Sequence, residues 1–257
     1  MDVSRKSAFS ESGKSANTDR RGALLIGIFF IFASATAILG FLFYEPILKG
    51  PDYLTNGAAH ANQVILGALM ELTLVVTAIG TAIGLFPVLR PYGERIALTH
   101  LFFRFLEAVV ITVGIIAMLS LLTLSQEFVT AAAADASTYH VAGTLLHAVY
   151  KWAFMFGPLL FLGINTMMYS SLLYKSKLVP RPLAALGITG ATLVFCYGML
   201  VMFGVAVQGA GMWTLLAMPI AFYEMILAGW LIIKGFNPTA IVVNAPKTEV
   251  DEALSAA

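Results

Sequence analysis

The sequence predicts an all-α fold: a polytopic transmembrane helical bundle of about six spans with both termini on the cytoplasmic side. Of the 257 residues, 59% are hydrophobic and only 11% are charged, whereas a soluble domain has roughly half apolar and a quarter charged residues. The mean hydropathy is +0.87, and the apolar residues are concentrated in long uncharged runs. We expect these runs to be helices because a backbone in lipid must satisfy its own hydrogen bonds.

The chain begins with a polar segment, residues 1–21, which is predicted to be a disordered cytoplasmic tail because it has no apolar face. The first apolar run follows at residues 22–44. At about 1.5 Å per residue it is long enough to cross a hydrocarbon core of about 30 Å. We therefore predict that it is the first span.

Five further apolar runs meet the same criterion and are bounded by proline, glycine or charge clusters. They cover residues 63–89, 97–122, 147–173, 182–208 and 213–233. The predicted six-helix transmembrane domain therefore extends over residues 22–236, and a cytoplasmic tail follows at 237–257. We expect the long connections at 45–62 and 123–146 to form a small cap on the other side.

Lysine and arginine decide the predicted orientation, because short cytoplasmic loops carry an excess of both. Basic residues occur in the two tails and in every second loop: Arg5, Lys6, Lys14, Arg20, Arg21, Arg90, Arg95, Lys175, Lys177, Arg181, Lys234 and Lys247. The loops of the opposite side carry only Lys49. This alternation places both termini in the cytoplasm.

Polar side chains inside the spans are the first candidate functional residues, because an ionised group costs roughly 2.5–3.5 kcal/mol at a bilayer centre. The predicted buried site consists of Glu71, Arg104, Glu107, Lys151, Asn165 and Glu224. Arg104 and Glu107 share one face of the third span with His100, at spacings of four and three residues. Arg104 is therefore expected to pair with Glu107 or with a carboxylate of a neighbouring span.

The predicted site contains more acids than bases, because three carboxylates face Arg104 and Lys151. Lys151 can neutralise only one of Glu71 and Glu224, so we expect at least one carboxyl to be protonated or bound to a ligand. This pattern is compatible with proton-linked or small-molecule transport or sensing. It is equally compatible with a structural membrane subunit whose polar residues hold helices together.

A second candidate group comprises His60, His140 and His147, which are predicted to lie at the outer face. One of them could serve as a general base in a membrane-embedded enzyme that acts on a lipid or lipid-like substrate. No metal site is predicted, because the chain lacks closely spaced histidines and its single cysteine, Cys196, lies in an apolar run. The cofactor stays unknown; the expected partners are the lipid bilayer and a small-molecule ligand, and no nucleic acid.

Two prolines, Pro158 and Pro219, fall inside the predicted fourth and sixth spans. Each would remove a helix hydrogen bond and free a carbonyl one turn earlier. We therefore expect kinks in both spans. Kinked helices that carry Lys151, Asn165 and Glu224 would suit a cavity, although membrane helices also tolerate proline for packing alone.

Several local strings of the chain are distinctive in combination. They are Leu66-Gly67-Ala68-Leu69-Met70-Glu71-Leu72, Phe103-Arg104-Phe105-Leu106-Glu107-Ala108, Gly157-Pro158-Leu159-Leu160-Phe161-Leu162-Gly163-Ile164-Asn165, Leu178-Val179-Pro180-Arg181, Met218-Pro219-Ile220-Ala221-Phe222-Tyr223-Glu224 and Lys234-Gly235-Phe236-Asn237-Pro238. Together these strings resemble those of the DUF4386 family of bacterial integral membrane proteins of unknown function. The resemblance covers roughly residues 20–240. It implies a multi-pass protein of six to seven helices in the bacterial cytoplasmic (inner) membrane, and it includes polar positions of the predicted site.

Overall fold

The structure is a computed structural model that describes residues 3–131, 136–208 and 215–243. These residues form helices and no strand, as the predicted all-α bundle requires. The helices are α1 (Val3–Phe43), α2 (Glu45–Leu48), α3 (Tyr53–Ala59), α4 (Ala61–Phe128), α5 (Ala136–Phe154), a π-helical segment (Met155–Phe161), α6 (Leu162–Ser176), α7 (Arg181–Met202), α8 (Met218–Ile233) and α9 (Pro238–Val243).

Helix α4 has 68 residues but folds back on itself at Gly93, where the backbone is not helical (φ 168°, ψ 80°). The Nε of Arg104 donates to the carbonyl of Ala78 at 3.2 Å, whereas these residues would lie about 39 Å apart in a straight helix. The two arms of α4, residues 61–92 and 94–128, are therefore antiparallel. Five described helical segments are long and apolar enough to span a membrane. Because α4 contributes two arms, they form six rods, which we number in chain order: α1, the first and second arms of α4, α5 to α6, α7 and α8.

The turn within α4 has a cause in the sequence and a cause in the packing. Pro87 and Pro91 lie shortly before it, and each removes a backbone donor from the helix. At Gly93 a Cβ atom would lie 2.9 Å from the side chain of Leu172 in α6. The absence of a side chain there allows α6 to pack directly against the turn.

Pro158 interrupts the α-helical pattern of the fourth rod, as predicted. The residues around it, Met155–Phe161, form a π-helical turn, which absorbs the lost hydrogen bond by widening the helix. The expectation for Pro219 was wrong, because this proline lies in the first turn of α8. A proline at a helix start costs no hydrogen bond, since the donor would be unpaired anyway.

Two helix boundaries differ from the predicted ones. Helix α1 begins at Val3 and so includes residues of the predicted disordered tail; the domain bounds at 21 and 237 stay predictions. Helix α7 ends at Met202, several residues before the predicted end of the fifth span. Gly204 follows with φ 72°, a left-handed conformation that commonly ends helices.

The basic ends of the rods lie on one side of the bundle. The Arg20 guanidinium at the start of the first span donates to the carbonyls of Leu231 (3.0 Å) and Ile232 (2.5 Å) at the end of α8. The Tyr92 hydroxyl, next to the turn of α4, donates to the carbonyl of Ala240 at 2.7 Å. We call this side the basic end of the bundle.

The opposite side carries the predicted cap, formed by α2, α3 and the first turns of α5. The Nε2 of His147 lies 2.7 Å from the carbonyl oxygen of Ile47 in α2. The ring of Tyr53 in α3 packs against His140 and His147, with centroid distances of 6.1 and 4.5 Å. These contacts hold α2 and α3 against the first turns of α5, at the start of the fourth rod.

Large apolar side chains cover the outside of the bundle. On the second arm of α4, Phe102, Phe105 and Ile116 are 66%, 58% and 59% exposed. An aqueous protein would bury side chains of this size, and contiguous exposed apolar surface marks a membrane contact. The protein is therefore embedded in a membrane, with lipid as the solvent of its outer surface.

We predict that the basic end faces the cytoplasm, because the positive-inside rule counts Lys and Arg near the span ends. In a bacterial host, a periplasmic phosphatase fused after Ala257 should be inactive, and the same enzyme inserted at Gly50 in the cap connection should be active. Activity of the C-terminal fusion, with none at Gly50, would reverse the topology.

Candidate functional site

Arg104 is the centre of the buried polar residues. It lies on the second arm of α4 and is 3% exposed. Its Nη1 contacts both carboxylate oxygens of Glu107, at 3.2 and 3.1 Å. Its Nε and Nη2 donate to the first arm, to the carbonyl of Ala78 and to the hydroxyl of Thr81 at 3.4 Å. The guanidinium therefore bonds the two arms together.

The pairing of Arg104 with Glu107 agrees with the expectation from their spacing. Residues three apart on a helix are neighbours on its surface, so the pair needs no unusual backbone. His100, on the same face, is also buried at 1% exposure. Its ring packs edge-on against Tyr169, with centroids 5.2 Å apart, so it extends the buried stripe through aromatic packing.

Glu107 also binds the fourth rod through Asn165 in α6. The Nδ2 of Asn165 donates to the Oε2 of Glu107, and Asn165 is fully buried. One carboxylate therefore accepts from a guanidinium of its own helix and from an amide of another rod. Arg104, Glu107, Asn165 and Thr81 form one connected network, which we call the arginine network.

Glu224 lies beside the arginine network but is not hydrogen-bonded to it. It is close enough to Arg104 and Glu107 for electrostatic interaction. Its Oε2 accepts from the hydroxyl of Ser34 in α1 at 3.4 Å. Its Oε1 is buried and has no hydrogen-bond partner among the described residues. This carboxyl therefore joins α8 to α1 with one oxygen and leaves the other unused.

Glu71 belongs to a separate polar group near the capped end. It is 7% exposed, and its Oε1 accepts from the hydroxyl of Tyr150 in α5 at 3.3 Å. The Tyr44 hydroxyl is close to the same carboxyl, and the Tyr44 and Tyr150 rings pack edge-on at 5.8 Å. Its Oε2 is buried and without a partner in the described part of the chain.

The distance between the two groups follows from helix geometry. Glu71 precedes Ala78, which contacts Arg104, by seven residues of the first arm, or about 10 Å. The predicted six-residue site is therefore divided into an arginine network with Glu224 beside it, and a tyrosine–carboxylate group around Glu71. Two pockets of the described part of the chain, one beside Lys177 and one beside Arg95, are lined by neither group.

Lys151 does not take the role expected from the sequence. Its side chain is exposed, and it makes no ion pair with a described carboxylate. Adjacent residues of a helix point about 100° apart, and Tyr150 occupies the direction toward Glu71. Lys151 therefore points away from the buried groups and neutralises neither Glu71 nor Glu224.

The three outer histidines do not converge either. His60 is exposed and its Nδ1 lies 3.0 Å from the carbonyl oxygen of Asn56. His140 and His147 both pack against Tyr53. The described residues contain no group of three or more His, Cys, Asp or Glu side chains that would hold a metal ion.

The sequence analysis missed the hydroxyl partners of the buried carboxyls, Ser34, Tyr44 and Tyr150. Only Tyr150 had a usable signal: it follows His147 by three residues, so the two share a helix face. The prediction favoured charged side chains and therefore named Lys151, the next residue, as a partner of the carboxyls. Ser34 lies on α1 and Tyr44 directly follows it. Both fall in the first apolar run, residues 22–44, which contains no charge and so gave no reason for a polar interpretation.

Substitution of Arg104 by Ala should destabilise the protein by about 3–5 kcal/mol, because it leaves the Glu107 carboxylate buried without its cation. Arg90→Ala is the matched control, since its pair with Glu94 has side chains 58% and 60% exposed and should contribute less than about 1 kcal/mol. Unfolding in detergent or nanodiscs measures both. Equal stability of the two variants would contradict a stabilising arginine network.

Comparison with known proteins gives a family and no further relative. No curated protein and no solved structure matches the chain. One family profile matches residues 25–235, with the description "Domain of unknown function (DUF4386)". The matched range includes Glu71, Glu224, the arginine network and residues of all six rods. This agrees with the resemblance noted in the sequence. The chain therefore belongs to the DUF4386 family.

Proposed function

We propose that this membrane protein binds protons at buried carboxyl groups and uses them in the transport or sensing of a small molecule. One observation carries the proposal: two of the three carboxyls inside the bundle, the buried Glu71 and the half-buried Glu224, have no cation of their own. The remaining carboxyl, Glu107, is matched by Arg104. Among the described residues these three carboxyls therefore share one permanently charged base, Arg104; the buried His100 ring packs against Tyr169 and forms no ion pair with them.

The cost of this imbalance supports proton binding. An ionised carboxylate at membrane depth costs roughly 2.5–3.5 kcal/mol, and a counter-charge or a proton removes that cost. Glu71 accepts hydrogen bonds from hydroxyl groups only. Glu224 accepts one from Ser34 and lies near the Arg104 guanidinium, which already forms an ion pair with Glu107. One proton bound to each of Glu71 and Glu224 would neutralise both carboxylates without any further ligand.

The positions of the two carboxyls would connect protonation to helix packing. A carboxylate only accepts hydrogen bonds, whereas a protonated carboxyl also donates one. Glu71 connects α4 to α5 through Tyr150, and Glu224 connects α8 to α1 through Ser34. Gain or loss of a proton would therefore change contacts between two different pairs of helices, as transport or sensing requires.

A structural role is the second candidate, and the arginine network supports it. This network joins both arms of α4 to α6 and leaves none of its charges unpaired. The lipid-enzyme alternative has weaker support, because a ring nitrogen of His60 and one of His147 are each within hydrogen-bond distance of a backbone carbonyl. We assign the structural role to the network and the proton-linked role to Glu71 and Glu224.

Infrared spectroscopy of the purified protein at neutral pH tests proton occupancy directly. The parent protein should show a protonated-carboxyl stretching band that is weaker in Glu71→Gln or Glu224→Gln. Glu94→Gln is the control, because Glu94 is exposed and paired with Arg90, so it should leave the band unchanged. A parent spectrum without the band would remove the proton-linked function and leave the structural role.

Stability of the same variants gives an independent prediction. Glutamine imitates a neutral carboxyl, so Glu71→Gln and Glu224→Gln should change the free energy of unfolding by less than about 1 kcal/mol. Glu107→Gln should cost about 3 kcal/mol or more, because Arg104 then lacks its anion. Thermal unfolding in nanodiscs provides the measurement. Similar losses in all three variants would mean that Glu71 and Glu224 are ionised.

A further inference from the structure

A pocket of about 500 Å³ lies at the basic end, distant from the buried carboxyls. One wall is the connection between α6 and α7, which includes Lys177 and Arg181. The other wall is the end of α8 and the segment after it, which includes Trp230, Lys234 and Asn237. Neither candidate function described above uses these residues.

The charges of this pocket are of one sign. Lys177, Arg181 and Lys234 line it, and none of the eleven lining residues is acidic. None of the three basic residues forms an ion pair with a described carboxylate. Arg181 is oriented by the ring of Tyr174, with its guanidinium carbon 5.2 Å from the ring centroid. The three cations therefore share a concave surface, and no acidic residue of the described part of the chain pairs with them.

The walls of the pocket are held together by the backbone. The N–H of Asn237 donates to the carbonyl of Leu178 at 2.8 Å, and its Nδ2 donates to the carbonyl of Lys177 at 3.3 Å. Leu178 and Phe236 form a buried floor, at 0% and 7% exposure. The basic side chains thus extend from a fixed frame and not from free loops.

The start of α7 adds to the positive potential. Arg181 is the first residue of this 22-residue helix, no side-chain hydrogen bond caps it, and Pro182 at its second position has no N–H. The backbone donors of its first three residues are therefore the N–H groups of Arg181 and Leu183. A helix N-terminus carries a partial positive charge and unpaired donors, which suit a phosphate or another anion. The start of α7 thus adds positive potential beside the three cations of the pocket wall.

Trp230 indicates where the pocket lies relative to the bilayer. It is half-buried in the pocket wall, and tryptophan is enriched at membrane–water interfaces. The surrounding end of the bundle is the one predicted to be cytoplasmic, where anionic lipids attract basic residues. A phosphate group at this depth would be within reach of the pocket.

We propose that the pocket formed by Lys177, Arg181, Lys234 and the N-terminus of α7 binds a phosphate-bearing anion. The group can belong to an anionic lipid head group or to a soluble phosphorylated compound, since both present the same oxygens to the same donors. Binding would bridge the α6–α7 connection to the end of α8. This site is independent of the proton-linked function proposed above.

The test compares lipid and soluble phosphate on one protein. The parent is placed in nanodiscs of phosphatidylcholine alone, in the same nanodiscs with inorganic phosphate, and in nanodiscs containing phosphatidylglycerol. Bound lipid is counted by native mass spectrometry, and thermal unfolding reports binding of either ligand. Stabilisation by phosphatidylglycerol only assigns a lipid head group, and stabilisation by inorganic phosphate assigns a soluble ligand.

The variant Lys177→Gln/Arg181→Gln/Lys234→Gln should weaken binding roughly tenfold or more, since each charge-assisted hydrogen bond to a phosphate oxygen contributes about a tenfold factor. Arg21→Gln/Arg95→Gln/Lys175→Gln is the control, because it removes the same charge from the same end outside the pocket. If the triple pocket variant does not fold, Lys234→Gln alone is compared with Lys175→Gln. Equal binding by pocket and control variants, or no stabilisation by either ligand, would overturn the proposal.

Discussion

The buried guanidinium of Arg104 is the constraint on which the rest of the bundle depends. Arginine cannot lose its proton in a protein, so at membrane depth every N–H must find an acceptor. Glu107 on the same arm and Ala78 and Thr81 on the other arm supply these acceptors. Glu107 also accepts from Asn165, which extends the network to α6. One charge thereby determines the register of the α4 hairpin and the position of the fourth rod.

The commitment of Arg104 to Glu107 leaves two carboxyls with hydroxyl partners alone. Each of these carboxyls lies between a different pair of rods: Glu71 between the first arm of α4 and α5, and Glu224 between α8 and α1. The ion-paired part of the site and the part proposed to bind protons are therefore distinct in position and in chemistry. Under the proposed function, contacts of these two pairs of rods would change while the Arg104–Glu107 pair stays intact.

Helix α8 connects the buried carboxyls with the basic end. Glu224 lies within its span, and Lys234 follows its last residue, about 15 Å farther along the axis. Arg20 donates to the last carbonyls of the same helix, so α8 also holds the start of α1. The Lys and Arg residues that predict the orientation of the protein include the three that line the pocket proposed to bind phosphate.

The class of the protein can be read from the amino-acid sequence, because long uncharged runs in lipid can only be helices. The Arg104–Glu107 pair can be read from it too, because three-residue spacing on a helix is local geometry. The other partners depend on how the helices pack. Lys151 and Tyr150 are adjacent in sequence, yet only Tyr150 faces Glu71, since the rotation of a rod about its axis depends on packing with its neighbours. Likewise Ser34 meets Glu224 across 190 residues, a contact that no periodicity within either helix encodes.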